Sequence, residues 1–128
     1  MKILLDTCTF LWLVEDSPSL SDRARALHRS PDNEVYLSAV SAWEIAVKFG
    51  LGKLPLPEDP SILVPKHRRA LHVQPLPFDE ESALRVHRLP ALHRDPFDRM
   101  LVCQALAEGL AILTPDPHIA AYPVQALW

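Results

Sequence analysis

Short apolar segments that alternate with helix-like segments constrain the fold of this chain most strongly. Three of them, residues 2–6, 34–38 and 110–114, have the length and composition of β-strands. They lack a regular apolar–polar alternation, which is typical of strands that are buried on both faces. Strands separated by helices form parallel sheets through βαβ units. The sequence therefore predicts an α/β fold, a three-layer α/β/α sandwich with a central parallel sheet.

The helical segments between these strands have recognisable ends. Ser21 is an N-cap candidate, Asp95-Pro96 opens the strongest helix, and Gly109 lies just past its end. Gly50 is expected at the C′ position of another helix. We predict helices over residues 7–15, 22–29, 41–49, 61–71 with a break or kink at Pro65, 79 to about 87, and 96–108; a short strand over 72–76; a loop over 115–117; and an edge strand in the tail 121–128. Trp12, Trp43 and Phe97 are predicted to lie in the core.

Composition limits the possible classes of protein. With 128 residues the chain is expected to form one domain, residues 1–128. Its three glycines are too scattered for a phosphate-binding loop, and a net charge of −3 excludes a polycation that coats nucleic acid. Cys8 and Cys103 are far apart, so we expect reduced thiols and a cytoplasmic protein. No apolar run approaches the ~18 residues of a membrane span.

Acidic residues occur where the predicted strands end. Asp6 closes the first strand, and Glu44 lies one turn into the helix after the second. Asp98 lies in the first turn of the long helix, and Asp116 follows the third strand. Because the carboxyl ends of parallel strands share one edge of a sheet, we expect these acids to come together there.

A cluster of carboxylates favours a hard divalent cation, Mg²⁺ or Mn²⁺, because like charges repel one another and oxygen ligands suit these ions. Such an ion can activate water for hydrolysis of a phosphodiester. The histidine pairs His67/His72 and His87/His93 lack zinc-motif spacing and are interpreted as surface residues. Arg94 and Arg99 flank the acidic pair of the long helix and are candidates for holding a phosphate.

Several of these acids also have a purely structural interpretation. Glu44 could pair with Lys48 four residues later on an exposed helix face. Asp95 precedes a proline at a helix start, as an N-cap does, and Asp98 could simply oppose the positive end of the helix. Asp116 could form a turn within Pro-Asp-Pro. For Asp95 the two interpretations have equal weight.

Four stretches of sequence resemble one known family over essentially the whole chain. The chain is similar to PIN-domain ribonucleases, specifically to the VapC-like toxins of bacterial toxin–antitoxin pairs. The stretches are Leu4-Leu5-Asp6-Thr7 with Phe10-Leu11-Trp12; Ser41-Ala42-Trp43-Glu44-Ile45-Ala46-Val47-Lys48 with Gly50-Leu51-Gly52-Lys53-Leu54; His93-Arg94-Asp95-Pro96-Phe97-Asp98-Arg99 through Gly109; and Leu113-Thr114-Pro115-Asp116.

The resemblance implies a PIN-like fold, an Mg²⁺- or Mn²⁺-dependent endoribonuclease acting on RNA, a homodimer, and a cognate antitoxin that inserts a segment into the active-site groove. By position, Asp6, Glu44, Asp98 and Asp116 match the family's acidic quartet, with Asp6 and Asp98 as core metal ligands. Asp95 is characteristic of the subgroup. Thr7 and Thr114 adjoin the quartet and are candidates for orienting ligands or water. Cys8 is a departure, since relatives often have His or Asn there.

Two other functions remain open at this point. One is a PIN-like interaction module without catalysis, although no quartet position is substituted. The other is a receiver-like phosphoacceptor domain, which would need a paired acid after the first strand and a lysine after the last, and neither is present. Metal binding separates the first alternative from an enzyme, and labelling by a small phosphodonor tests the second.

Overall fold

The computed structural model describes residues 1–128 and contains a single sheet of five parallel strands in the order β3-β2-β1-β4-β5. The predicted parallel sheet is therefore confirmed. The strands are β1 (Lys2–Leu5), β2 (Glu34–Ser38), β3 (Gln74–Leu76), β4 (Ala111–Leu113) and β5 (Ala126–Leu127). The helices are α1 (Thr7–Glu15), α2 (Asp22–Arg29), α3 (Ala39–Gly50), α4 (Pro60–Ala70), α5 (Glu80–Leu84), α6 (Pro96–Glu108) and α7 (Pro117–Ala120).

β1 lies at the centre of the sheet, and its sequence explains why. Ile3, Leu4 and Leu5 are completely buried, as a strand covered by helices on both faces requires. Ile3 is aligned with Val35 of β2 on one side and with Ala111 of β4 on the other. This register brings the ends of β1 and β4 side by side at the carboxyl edge of the sheet.

Two apolar clusters cover the two faces of the sheet. On one face, Phe10 of α1, Ile45 of α3 and Leu63 of α4 pack in a cluster of 14 buried residues. On the other face, Leu101 of α6 and Ile119 of α7 belong to a cluster of nine. The helices thus form the outer layers of the predicted sandwich, and they hold the strand ends in fixed positions.

Most helix ends follow the signals in the sequence. The Ser21 hydroxyl accepts a hydrogen bond from the Ala24 N–H, and Gly109 ends α6 with a φ of +67°. The prediction for Gly50 is wrong, because this residue is the last of α3. The left-handed glycine is Gly52, with a φ of +71°, since the chain makes one further turn before it reverses.

Other departures from the predictions have local causes. Trp43 is 64% exposed rather than in the core, because it lies on the side of α3 away from Glu44 and Ile45. The helix expected to reach His87 is α-helical only to Leu84 and continues as a 3-10 helix over Arg85–Arg88. The loop predicted over residues 115–117 is shorter than expected, because the short helix α7 begins at Pro117. None of the helices is long and apolar enough to cross a membrane.

Candidate active site

A cleft of about 250 Å³ opens at the carboxyl edge of the sheet, between α1, α3 and the start of α6. Five carboxylates line it, and one lysine is the only basic residue among the lining side chains. The lining residues are Asp6, Thr7, Cys8, Leu11, Glu44, Ile45, Lys48, Leu54, Asp95, Asp98 and Asp116. The structure thus brings the four predicted acids together from four separate parts of the chain.

Asp6 is the first residue after β1 and lies at the N-cap of α1, but its side chain does not cap that helix. Its Oδ2 instead accepts hydrogen bonds from the Thr114 hydroxyl at 2.7 Å and from the Cys8 thiol at 3.4 Å. Only 5% of Asp6 is exposed. Burial raises the pKa of its carboxyl, and the hydrogen bond from Thr114 opposes part of that rise.

The Cys8 thiol is a donor in this arrangement. Burial and the neighbouring Asp6 raise the pKa of Cys8 to about 12, so the sulfur keeps its proton at neutral pH. The protonated thiol can therefore donate its own hydrogen to the Asp6 carboxylate. Cys8 thus supports an acid through its hydrogen bond to Asp6 rather than acting as a nucleophile.

Glu44 is held from two sides on the inner face of α3. Its Oε1 accepts from the Thr7 hydroxyl at 2.8 Å, which also lies 2.9 Å from the hydroxyl of Ser41. Its Oε2 forms an ion pair with Lys48, one helical turn later. The expected pairing with Lys48 therefore exists, but not on an exposed face, because Glu44 is only 5% exposed and lines the cleft.

Asp95 and Asp98, both at the start of α6, have different roles. Asp95 Oδ1 accepts from the N–H groups of Phe97 at 2.8 Å and Asp98 at 3.2 Å, so this residue is the N-cap. The Asp98 side chain is free of capping and faces the cleft. Burial, together with the charges of Asp6 and Asp95, raises the pKa of Asp98 to about 7.

Asp116 reaches the cleft from the loop after β4. Its Oδ1 accepts from the N–H of His118 at 2.8 Å and so caps α7, while its own N–H donates to the hydroxyl of Thr114 at 3.1 Å. Thr114 therefore contacts both Asp6 and Asp116. The threonine after the strand fixes two acids relative to each other, which explains its burial at 3% exposure.

His93 is the residue that the sequence interpretation missed. Its side chain is only 16% exposed, and its Nε2 lies 2.7 Å from Asp98 Oδ2 and 3.7 Å from Asp116 Oδ2. The expectation of a surface histidine is wrong, because the loop before α6 folds this residue back over the helix start. A signal existed in the sequence, since His93 stands two residues before the Asp95-Pro96 helix start.

The arginines beside the acidic pair lie outside this cleft. The Arg99 guanidinium donates to the carbonyls of Val86, Leu89 and Pro90 and to the Tyr122 hydroxyl, and so ties the segment before α6 to that helix. Arg94 is exposed and lines a neighbouring groove with Arg99. Neither side chain is among those lining the cleft, although Arg94 directly precedes Asp95.

The donor set of the cleft fits a hard divalent cation. Carboxylate oxygens predominate, with threonine hydroxyls beside them, which suits Mg²⁺ or Mn²⁺ better than a thiolate-preferring ion. One lysine cannot neutralise five carboxylates, and the charges of Asp6 and Asp95 add to the effect of burial in raising the pKa of Asp98. A bound cation would relieve the repulsion, and Asp6, Glu44, Asp98 and Asp116 are the residues that would hold it.

Lys48 is the internal counter-ion of the cleft, and its replacement tests this description. Lys48→Met should destabilise the protein in EDTA by about 1–2 kcal/mol, because Glu44 would stay buried without its cation. The same change should tighten Mn²⁺ binding severalfold, since a competing positive charge is removed. Thermal melts in EDTA and calorimetric titration with Mn²⁺ measure the two effects.

The matched control for this prediction is Lys53→Met. Lys53 is exposed and is not among the lining residues of the cleft. Its replacement should change neither the melting temperature nor the Mn²⁺ affinity appreciably. Weaker Mn²⁺ binding by Lys48→Met would show that the lysine supports the site rather than competing with the cation.

Comparisons with known proteins agree with this geometry. A family model described as "PIN domain" matches residues 3–124. The chain is 37% identical over 106 residues to ribonuclease VapC16 from Mycobacterium tuberculosis, covering 83% of this chain and 71% of that protein. Chains in solved structures also match it, and two of them follow. Their sequence identities to this chain are low and are evidence for the fold alone.

The first of these is a chain in the crystal structure of VapBC2 from Rickettsia felis bound to a DNA fragment from their promoter. It superposes with a TM-score of 0.75 at 14% identity, over 100% of this chain and 99% of that one. The second belongs to VapBC-5 from Mycobacterium tuberculosis, a member of the VapBC family of toxin–antitoxin systems. Its TM-score is 0.61 at 20% identity, over 98% and 97% of the two chains.

Proposed function

The chain belongs to the PIN-domain family, as a VapC-type ribonuclease toxin, and from this premise we propose that it cleaves RNA at the acidic cleft with Mg²⁺ or Mn²⁺ bound there. The observation that carries the proposal is the meeting of Asp6, Glu44, Asp98 and Asp116, remote in sequence, in one cleft. Bringing like charges together costs electrostatic energy, and such clusters are concentrated at functional sites. The reaction is hydrolysis of a phosphodiester bond.

Within this site, Asp6 and Asp98 are the principal ligands of the cation, and Glu44 and Asp116 complete its surroundings. The burial of Asp6 and the raised pKa of Asp98 support their central places. Thr7 and Thr114 are positioning residues. Each donates its hydroxyl proton to one of these acids, Thr7 to Glu44 and Thr114 to Asp6.

The protein's own contribution to the reaction is preorganisation. A cation held by these acids would supply two things, a lower pKa for a water molecule beside it and a positive charge opposite the scissile phosphate. The hydrogen bonds of Thr7 and Thr114 fix the acids before substrate arrives, so little reorganisation is needed during the reaction. Lys48 offsets one carboxylate charge, and we assign to Arg94, which is exposed beside Asp95, a contact with an RNA phosphate outside the cleft.

We further propose a cognate antitoxin and a homodimeric state for this chain, and a cytoplasmic place of action. The proposal of an antitoxin is supported by the family of this chain and by the VapBC structures, which contain chains with the same fold as this one. A segment of the antitoxin in the cleft would block access of RNA. A basic side chain in that segment would complement the five carboxylates there.

Cleavage of a mixed RNA panel tests the proposed activity. The wild-type protein should produce defined fragments with Mg²⁺ or Mn²⁺, none with EDTA, and fragments again when metal is restored. An Asp6→Asn variant prepared identically should be inactive. Equal cleavage by both proteins would indicate a contaminant or a different site. A wild type that binds no metal and cleaves no RNA would favour an interaction module without catalysis.

A further inference from the structure

His93 makes contacts that no role described so far explains. It comes from the loop before α6, and its ring stacks on that of His118 with centroids 5.0 Å apart and planes 20° apart. Its Nε2 is within hydrogen-bond distance of Asp98 Oδ2 and near Asp116 Oδ2. The ligand atoms of these three residues lie within 4.8 Å of one another. Geometry alone would therefore allow His93 either to donate a hydrogen bond to Asp98 or to bind the cation directly.

The other ring nitrogen, Nδ1, distinguishes a histidine that donates a hydrogen bond to Asp98 from one that binds the cation directly. The backbone N–H of Arg94 donates a hydrogen bond of 3.0 Å to His93 Nδ1, so Nδ1 carries no proton. The ring proton of the neutral imidazole is then on Nε2, where it is donated to Asp98. A histidine that binds a metal has the opposite arrangement, because its second nitrogen donates a proton to a carboxylate or carbonyl.

We propose that His93 is a positioning residue, which donates its Nε2 proton to Asp98 and lies between the two carboxylates without binding the cation. The inference rests on the proposed function, since it assumes that Asp98 and Asp116 serve a cation. A carboxylate oxygen that accepts from His93 is fixed in direction, which leaves the other oxygen of Asp98 for the ion. Stacking on His118 holds the imidazole in the plane that this bond requires.

Two variants distinguish the effect of the N–H donor of His93 from the effect of its aromatic ring. His93→Phe keeps an aromatic ring for stacking but has no N–H, whereas His93→Gln keeps an N–H donor at about the reach of Nε2. We expect His93→Phe to weaken Mn²⁺ binding tenfold to about a hundredfold, the usual cost of losing such an outer partner. His93→Gln should stay within about threefold of wild type, because its amide can donate to Asp98.

Calorimetric titration of the metal-free proteins with Mn²⁺ and Ni²⁺ measures these affinities, with His87→Ala as the control histidine outside the cleft. An outer partner should change the affinities for both ions in parallel. A direct ligand should cost far more for Ni²⁺, which prefers imidazole nitrogen. Pulsed electron paramagnetic resonance of bound Mn²⁺ should accordingly detect no directly coordinated nitrogen.

The outcomes are distinct. Unchanged Mn²⁺ affinity in His93→Phe, or a nitrogen bound directly to Mn²⁺ in the wild type, would overturn this inference and leave the proposed function standing. Failure of His93→Gln to restore binding lost in His93→Phe would also overturn it. A wild type that binds no Mn²⁺ at all would overturn the proposed function, and this inference with it.

Discussion

Replacing Asp98 with asparagine is expected to lower RNA cleavage by about a thousandfold or more, the scale seen when a group central to catalysis is removed. Asparagine keeps the size of the side chain and a carbonyl oxygen that can accept the hydrogen bond of His93. It removes the negative charge that the cation needs. Cleavage rates with Mg²⁺, measured for both proteins prepared identically, provide the test.

The same substitution should stabilise the metal-free protein. The pKa of Asp98 is about 7 in the folded chain and near its ordinary 3.8 when unfolded. The folded state therefore binds more protons between these values, and stability falls as pH rises through this range. Asparagine has no such cost, so we expect a gain of about 1–2 kcal/mol at pH 8, or about 4–8 °C in Tm.

The pH dependence of this gain is its internal control. Below about pH 4 the carboxyl is protonated in both states, so the difference between the two proteins should disappear. Asp22→Asn is the matched variant, because Asp22 is an exposed acid in the first turn of α2. It should leave cleavage unchanged. A loss of stability in Asp98→Asn at pH 8 would contradict a site strained by its own negative charge.

Mn²⁺ affinity is expected to rise by about thirtyfold between pH 5.5 and pH 8, because a proton and the cation compete for Asp98. The carboxyl holds its proton below about pH 7 and releases it above, so binding is weaker on the acid side. The pKa of Asp6, raised by burial, acts in the same direction. Calorimetric titration at several pH values, in buffers of different ionisation enthalpy, also counts the protons released.

Asp98→Asn should flatten this profile as well as weaken binding, since the carboxyl whose pKa is about 7 is removed. An affinity that is independent of pH over this range would mean that Asp98 is already ionised in the metal-free protein. An affinity that falls as pH rises would contradict carboxylate binding altogether.

The architecture could be predicted because local signals agree with one another. β1 is a run of apolar residues that ends at an acid, and the ends of α6 follow directly from Asp95-Pro96 and Gly109. The gathering of the acids at one edge followed from the topology of parallel strands. The same logic brought Asp6 next to the loop that carries Thr114 and Asp116.

Contacts between distant loops could not be predicted in this way. His93 stands two residues before the Asp95-Pro96 helix start, but its place over Asp98 depends on how the loop before α6 turns back. Arg99 has the sequence position of a phosphate ligand, yet its guanidinium donates to the backbone carbonyls of Pro90 and Val86 instead. Trp43 has apolar neighbours in sequence, but the rotation of α3 exposes it.

The most direct test of the central claim is anomalous diffraction from a crystal of the wild-type protein soaked in Mn²⁺. We predict a peak in the cleft within bonding distance of the carboxylates of Asp6 and Asp98, absent from Asp98→Asn crystals treated identically. A peak elsewhere on the molecule, or none in the cleft at saturating Mn²⁺, would contradict the assignment of these acids to a metal-dependent ribonuclease centre.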